Sequence, residues 1–245
     1  MGRTIVVTGA SAGIGRAVSE LFLRDGWNTA MIARRADALD AVAGGNANAL
    51  ALPCDVTDAG AVDAAFDAAV KSFGRIDALF NNAGISKPAA LIDEIALSDW
   101  RDTVDVNLTG MFLCARAAFR QMRRQSPPGG RIINNGSVSA HAPRPGSIAY
   151  TATKHAVTGM TKSLALDGRP FSIACGQIDI GNALTELAAG IAKGVPQPDG
   201  SVRAEPMMRA EEVAAAVLHM ASLPLSSNVL NMTIMATDMP FVGRG

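Results

Sequence analysis

Apolar residues recur along this chain in two rhythms that alternate. Compact runs rich in Val, Ile, Leu and Ala, roughly four to eight residues long, read as strands buried on both faces; longer stretches with an apolar residue every third or fourth position read as amphipathic helices. Seven runs are of the strand kind: 4–8, 28–33, 49–53, 76–80, 131–134, 171–175 and 229–236. Helical spacing shows between them in Ala17, Val18, Leu21 and Phe22, in Val62, Phe66, Ala69 and Val70 after Asp58, and in a last helix from Glu211 to Ser222. A long helix over 102–124 places Val104, Leu108, Phe112, Ala115 and Phe119 on its inner face, with Asn107 in its interior. Strand and helix in alternation predict an α/β fold: right-handed crossovers, a seven-stranded parallel sheet with helices on both faces, and ligands bound beyond the carboxyl ends of the strands.

The polar and glycine-rich interruptions fall at those carboxyl ends. After the first strand comes Gly9-Ala10-Ser11-Ala12-Gly13-Ile14-Gly15, leading into a helix. Strand, glycine turn and helix together suit a phosphate, because glycines let the backbone approach it and the new helix turns amide groups and the positive end of its dipole toward it. The second strand ends in Arg34-Arg35, where a ribose-binding site would carry an acid. A guanidinium there matches a 2′-phosphate, which favours NADP over NAD. The third strand is closed by Cys54-Asp55-Val56-Thr57 and the fourth runs into Asn81-Asn82-Ala83-Gly84. The fifth ends at Gly136-Ser137-Val138-Ser139, and a loop over 141–147 then leads to Tyr150 and Lys154. Tyr150 is the one tyrosine of the chain, and four residues on a helix bring Lys154 to the same face, a candidate acid/base pair because a nearby cation favours the phenolate.

Composition narrows the partners. A length of 245 residues suits a single large α/β domain, and 49% hydrophobic residues with only 4% aromatics imply a core of small aliphatic side chains. Lys plus Arg and Asp plus Glu balance at 22 each, which leaves no basic field for nucleic acid and no polybasic patch for a membrane. Cys54, Cys114 and Cys175 form neither a disulfide framework nor a zinc spacing, and His141, His155 and His219 stand at no metal-ligand spacing, so no metal site is expected. No long apolar run or leader-like segment stands out, and a cytoplasmic protein is the expectation.

With these pieces the chain resembles the short-chain dehydrogenase/reductase family over nearly all of its length. Thr8-Gly9, Gly13 and Gly15 match that family's cofactor turn, Asn81-Asn82-Ala83-Gly84 its sheet-edge motif, and Asn107, Ser137, Tyr150 and Lys154 its catalytic tetrad. The resemblance implies a single-domain Rossmann-type doubly wound fold over 1–245 and an NADP-dependent oxidoreductase, with NAD as the alternative cofactor. By the family's mechanism Tyr150 exchanges a proton with the substrate oxygen, Ser137 hydrogen-bonds that oxygen, Lys154 lowers the tyrosine pKa and binds the nicotinamide ribose, and Asn107 anchors a water. The cofactor contacts it implies are Gly9, Ser11, Ala12, Gly13, Ile14, Gly15, Arg34, Arg35, Asp55, Val56, Asn82, Ala83 and Gly84 together with Tyr150 and Lys154. A homotetramer or homodimer is expected through the helices that start near Asp102 and Ala149, with Val157, Met160, Thr161 and Leu164 serving either as that interface or as core.

The pattern departs after the sixth strand, where the family has Pro-Gly, then Val or Ile, then Thr. Here the run is Cys175-Gly176-Gln177-Ile178-Asp179-Ile180-Gly181-Asn182. On this reading Ile180 stands in the threonine's place, and either Asn182 or the backbone of Ile178 holds the nicotinamide amide. Residues 183–208, with Gly190, Gly194, Pro196, Pro198 and Gly200, form an irregular substrate-covering segment. The rival reading from another class is a non-catalytic dinucleotide-binding or sensing protein, which has no need of a phenol and a lysine on one helical face.

Overall fold

The computed structural model describes residues 2–186, 194–197 and 199–242. Strands β1 (Thr4–Thr8), β2 (Asn28–Ala33), β3 (Ala49–Pro53), β4 (Ala78–Asn81), β5 (Gly130–Asn135), β6 (Ile173–Ile180) and β9 (Asn231–Ile234) form one parallel sheet in the order β3-β2-β1-β4-β5-β6-β9. The chain winds outward from β1 to β3, then returns to add β4 on the other side of β1. That reversal opens a crevice at the carboxyl ends of β1 and β4, the place where doubly wound sheets bind ligands.

Alternation along each strand sorts its side chains to two faces. Ile5, Val7, Met31, Phe80 and Ile133 join one cluster with Val18 and Phe22 of helix α1 (Gly13–Arg24) and Val213 and Val217 of the last helix. Val6, Ile32, Leu79, Ile132 and Cys175 join the other, with Phe66 of α3 (Ala59–Phe73) and Cys114 and Met122 of α5 (Met111–Arg124). Helix α2 (Ala36–Ala43) follows β2 and ends at Gly44 with φ of 53°. The N-cap Asp58 accepts from the amides of Gly60 and Ala61 and starts α3.

Three expectations are corrected. The helix predicted over 102–124 begins at Leu97: α4 (Leu97–Val104) passes through a π-helical segment, Asp105–Gly110, into α5. Its buried face is centred one residue earlier than predicted, on Thr103, Asn107, Met111, Cys114, Ala118 and Met122; of the predicted positions Ala115 is buried and Phe119 packs on the core, while Phe112 is half exposed at 51%. Two of the six buried positions are polar, with Thr103 donating to the Asp99 carbonyl at 2.7 Å, so the apolar pattern pointed to the neighbouring stripe.

Strand β6 runs from Ile173 to Ile180 and is buried throughout, whereas Phe171 belongs to a 3₁₀ turn. Gln177 and Asp179 hid the strand's second half, because a fully buried strand is expected to read as a continuous apolar run. Residues 195–196 and 202–203 form a two-stranded antiparallel ribbon, β7 (Val195–Pro196) and β8 (Val202–Arg203), within the segment expected to be irregular. Gly190 and Pro198 lie outside the described residues.

Helices α6 (Ile148–Asp167) and α7 (Ala210–Ser222) complete the fold. On α6, Val157 and Thr161 are buried within the chain. Among the described residues no helix is long and apolar enough to cross a membrane.

Candidate active site

The glycine turn after β1 is glycine for steric reasons that the structure makes explicit. Gly9 and Gly13 have φ of 68° and 52°, and a Cβ on Gly15 would lie 2.2 Å from the Gly9 carbonyl oxygen. The third glycine therefore lets α1 pack directly on the turn, while Ala12 at its N-cap has no side chain to occupy the first amides. Thr8 locks the turn to the next strand: its hydroxyl accepts from the amides of Asn82 and Ala83 at 2.8 and 2.9 Å. Asn82 donates to the Thr8 carbonyl at 2.9 Å and accepts from Asn135 at 2.8 Å, tying the carboxyl ends of β1, β4 and β5 together.

Two cavities open above this edge. The first to be reached from the turn, of about 440 Å³, is lined by Gly9, Ser11, Ala12, Gly13, Ile14, Arg34, Arg35, Asp55, Val56, Asn82, Ala83, Gly84, Asn135, Tyr150 and Lys154, among others. Arg35 reaches Ser11 Oγ at 3.4 Å. The amide of Thr57 holds the Asp55 carboxyl below its ordinary pKa against burial, helped by the Thr57 hydroxyl and the charge of Arg34. Gly15 supports this cavity from behind through its packing. Ile178 does not reach it: the residue is fully buried in β6 and its carbonyl accepts from the Gly136 amide at 2.9 Å.

The second cavity, of about 590 Å³, is walled by residues 86–89, the loop before α6 and the chain that follows β6. Tyr150 borders both cavities. Lys154 is buried on the same face of α6, its Nζ 5.4 Å from the Tyr150 ring centre and donating to the Asn135 carbonyl at 2.7 Å. Ser137 and Ser139 both line the substrate-side cavity; Ser137 Oγ accepts from the Ser139 amide at 3.1 Å, leaving its own O–H to donate. Asn107 lines neither cavity. Its side chain clamps the backbone of one residue, accepting from the Ile85 amide at 2.7 Å and donating to the Ile85 carbonyl at 2.9 Å.

The run after Cys175 is arranged otherwise than expected. Because β6 continues to Ile180, the loop opens at Gly181, and Ile180 is a strand residue rather than a stand-in for threonine. Asn182 has its side chain committed: the carbonyl accepts from Arg144 at 2.8 Å and the amide donates to Glu205 at 2.8 Å and to the Pro206 carbonyl at 3.2 Å. Thr185, like Tyr150, borders both cavities, and it comes within 3.1 Å of where a Cβ on Gly13 would stand.

Sequence reasoning also missed two polar clusters. Asp179, fully buried, accepts from the Ser137 amide at 3.0 Å, Gln177 at 2.6 Å, His141 at 2.8 Å and Asn231 at 2.8 Å. Gly136 is glycine because a Cβ there would lie 2.0 Å from that carboxylate. The only signal for it in the sequence is an acid inside an apolar run. In the second cluster Arg144 pairs with Glu205, which also accepts from Gln197 at 3.0 Å. Burial pushes the Glu205 pKa up, but the hydrogen bonds from Asn182 and Gln197 and the charge of Arg144 outweigh it and hold the carboxyl below its ordinary value. Burial raises all three thiols, Cys54 to about 11 and Cys175 to about 12. No group of side chains that could hold a metal occurs among the described residues.

Comparison with known proteins agrees with this architecture. The profile of the family described as short chain dehydrogenase matches residues 3–195. D-threitol dehydrogenase of Mycolicibacterium smegmatis is 36% identical over 228 residues, covering 90% of this chain and 86% of that protein. 3beta-hydroxysteroid dehydrogenase of Mediterraneibacter gnavus is 35% identical over 182 residues, 72% of this chain and 64% of that one. Among solved structures, 3-ketoacyl-(acyl-carrier-protein) reductase from Brucella melitensis, determined with NADH, superposes with a TM-score of 0.86 at 26% identity and covers 97% of this chain and 98% of that one. With its doubly wound sheet, its glycine turn and these relatives, the chain belongs to the short-chain dehydrogenase family and is an enzyme of the dehydrogenase/reductase type, acting on alcohol or carbonyl groups.

Proposed function

We propose that this chain is an NADP-dependent oxidoreductase that moves a hydride between nicotinamide and a carbonyl or secondary alcohol, with Tyr150 exchanging the proton at the substrate oxygen. The observation that carries this reading is the placement of Tyr150 on the wall shared by both cavities. Its hydroxyl makes no hydrogen bond among the described residues, so the phenol is available where a dinucleotide and a substrate would meet.

The residues of the turn-side cavity fit a dinucleotide. Gly9 and Gly13 leave backbone bare at the start of α1, where a pyrophosphate is favoured by amides and dipole together. Arg34, Arg35 and Ser11 provide donors for a 2′-phosphate, and Asp55 and Val56 stand beside the adenine position. The dinucleotide, when bound, supplies or accepts the hydride. Everything else falls to this chain: Ser137 and Tyr150 hold the substrate oxygen, Lys154 brings positive charge to the phenol and a donor to the ribose, and Thr185 closes over the turn. Asn107 fixes the backbone at Ile85 from within the π segment, which supports a role in anchoring a water near the site.

The exposed Leu97, Trp100 and Phe112 on α4 and α5 support assembly into a homodimer or homotetramer, in the cytoplasm. Tyr150→Phe tests the reading directly. The variant is expected to bind NADPH as the parent does while turnover drops by about 10²- to 10⁴-fold, the usual contribution of a positioned acid/base group. Undiminished turnover would remove the phenol from the mechanism.

A further inference from the structure

One wall of the substrate-side cavity carries chemistry that hydride and proton transfer do not use. Arg144 stands on the loop before α6 and lines the cavity with Tyr150 and Ser137. We propose that Arg144 anchors the substrate, and that the substrate therefore carries a carboxylate in addition to the reacting carbonyl or carbinol. This inference rests on the oxidoreductase reading above.

A guanidinium has five N–H donors and no acceptor. In Arg144 one nitrogen, Nη2, serves both protein partners, the Asn182 carbonyl at 2.8 Å and the Glu205 carboxylate. Nη1 has no partner among the described residues, and Nε is buried without one. The contact to Glu205 is thus made through a single nitrogen and leaves Nη1 unclaimed on a residue of the cavity wall. Glu205 is itself held by Asn182 and Gln197, so the guanidinium rests on a fixed frame and is oriented before any ligand arrives.

Donors of that kind require an acceptor oxygen on the ligand, and charge selects which. Besides Tyr150, the ionisable side chains among the described lining residues are Lys87 and Arg144, both cations. Asp99, Asp102 and Glu205, which pair with them, stand behind the lining. The first turn of α6 also borders the cavity, through Ser147 and Ala149, and brings the positive end of its dipole. A carboxylate oxygen is the strongest acceptor for the unclaimed Nη1 hydrogens of the guanidinium, because a hydrogen bond charged on both sides is stronger than one to a neutral hydroxyl.

The test uses the full chain with NADPH and a series of keto acids of increasing length, each paired with its methyl ester, which keeps the skeleton and removes the charge. At least one acid is expected to exceed its ester more than ten-fold in kcat/KM. Arg144→Gln is expected to lower that acid-to-ester ratio by about ten- to a hundred-fold, the range for a charge-assisted hydrogen bond, with Arg144→Lys in between. Because Arg144→Gln leaves Glu205 buried without its cation, the double variant Arg144→Gln/Glu205→Gln, which replaces the ion pair with two amides, must show the same drop in ratio. A ratio near one in the parent, or a ratio unchanged in both variants, overturns the assignment. Turnover of esters and simple ketones without preference for acids sinks only the carboxylate, whereas no turnover of any member with NADPH or NADH sinks the oxidoreductase reading and this inference with it.

Discussion

The two sides of the sheet edge are built on different principles. On the side of β1 and α1, the shape of the turn is set by backbone constraints between near neighbours in sequence, Gly9, Gly13 and Gly15 within seven residues of chain, and side-chain hydrogen bonds from Thr8 and Asn82 then tie it to β4 and β5. On the side of β6, the constraints are side-chain hydrogen bonds between residues far apart: Asp179 joins Ser137, His141 and Asn231, and Glu205 joins Arg144, Asn182 and Gln197. A local backbone solution leaves a spacing that can be read in the sequence, and any chain binding the same phosphates needs it. A dispersed polar network leaves only isolated acids and amides, and it can be rebuilt for another ligand without disturbing the turn. The separation suits a family whose members here include a threitol and a steroid dehydrogenase.

The largest effect that would expose this difference is expected at Asp179. Replacing it with alanine removes the acceptor of four donors, the Ser137 amide at the cavity among them, and is expected to cost about 3 kcal/mol or more of stability in denaturant titration. A cost below about 1 kcal/mol would show that the network is dispensable and that the substrate side is held by packing alone. Next comes Gly15→Ala on the other side. Its Cβ would lie 2.2 Å from a backbone oxygen, which cannot swing away, so an overpacking cost of about 1–3 kcal/mol is expected along with weakened NADPH binding. Full NADPH affinity in that variant would mean that the turn tolerates movement and is not the rigid half.

A smaller effect is expected at the arginine pair. Titration should show NADPH bound more tightly than NADH, and Arg34→Ala/Arg35→Ala should close most of that gap by about ten-fold or more, as charge-assisted phosphate contacts do. Equal affinities in the parent would remove the preference for NADP. The smallest is a pH effect at Glu205. Its folded pKa lies below the ordinary 4.5, so its contribution to stability is complete above that value and is lost as pH falls through the lower folded one. Thermal unfolding followed between pH 6 and pH 3, roughly the window of carboxylate titration, should therefore show a shallower acid limb for Glu205→Gln than for the parent. Parallel limbs would mean that the cluster contributes no pH-linked stability.

Much of the fold was legible in the sequence. The alternating rhythms placed all seven strands of the sheet, and most clearly the central ones, because strands buried on both faces leave dense apolar runs. Where polar residues are buried, that signal weakened: Thr103 and Asn107 shifted the predicted inner face of the long helix by one residue, and Gln177 with Asp179 cut β6 short by its last five residues, 176–180. The second error carried into the site, since a strand ended too early placed Ile180 in the loop, whereas the loop begins at Gly181 and it is Thr185 that borders both cavities. Tyr150 and Lys154 could be paired from spacing alone because helical geometry sets neighbours four residues apart, but that the phenol stands between two cavities could not.

By itself the sequence determined the parallel sheet, the phosphate-shaped turn and the common face of Tyr150 and Lys154, since each depends on local periodicity or on backbone conformations that few residues adopt. Only the tertiary structure decided that Asn107 clamps Ile85, that Asp179 supports Ser137, and that Arg144 is oriented by Glu205 at the cavity wall. Those partners lie between 22 and 61 residues apart, and no spacing rule links side chains that meet only when the sheet edge closes.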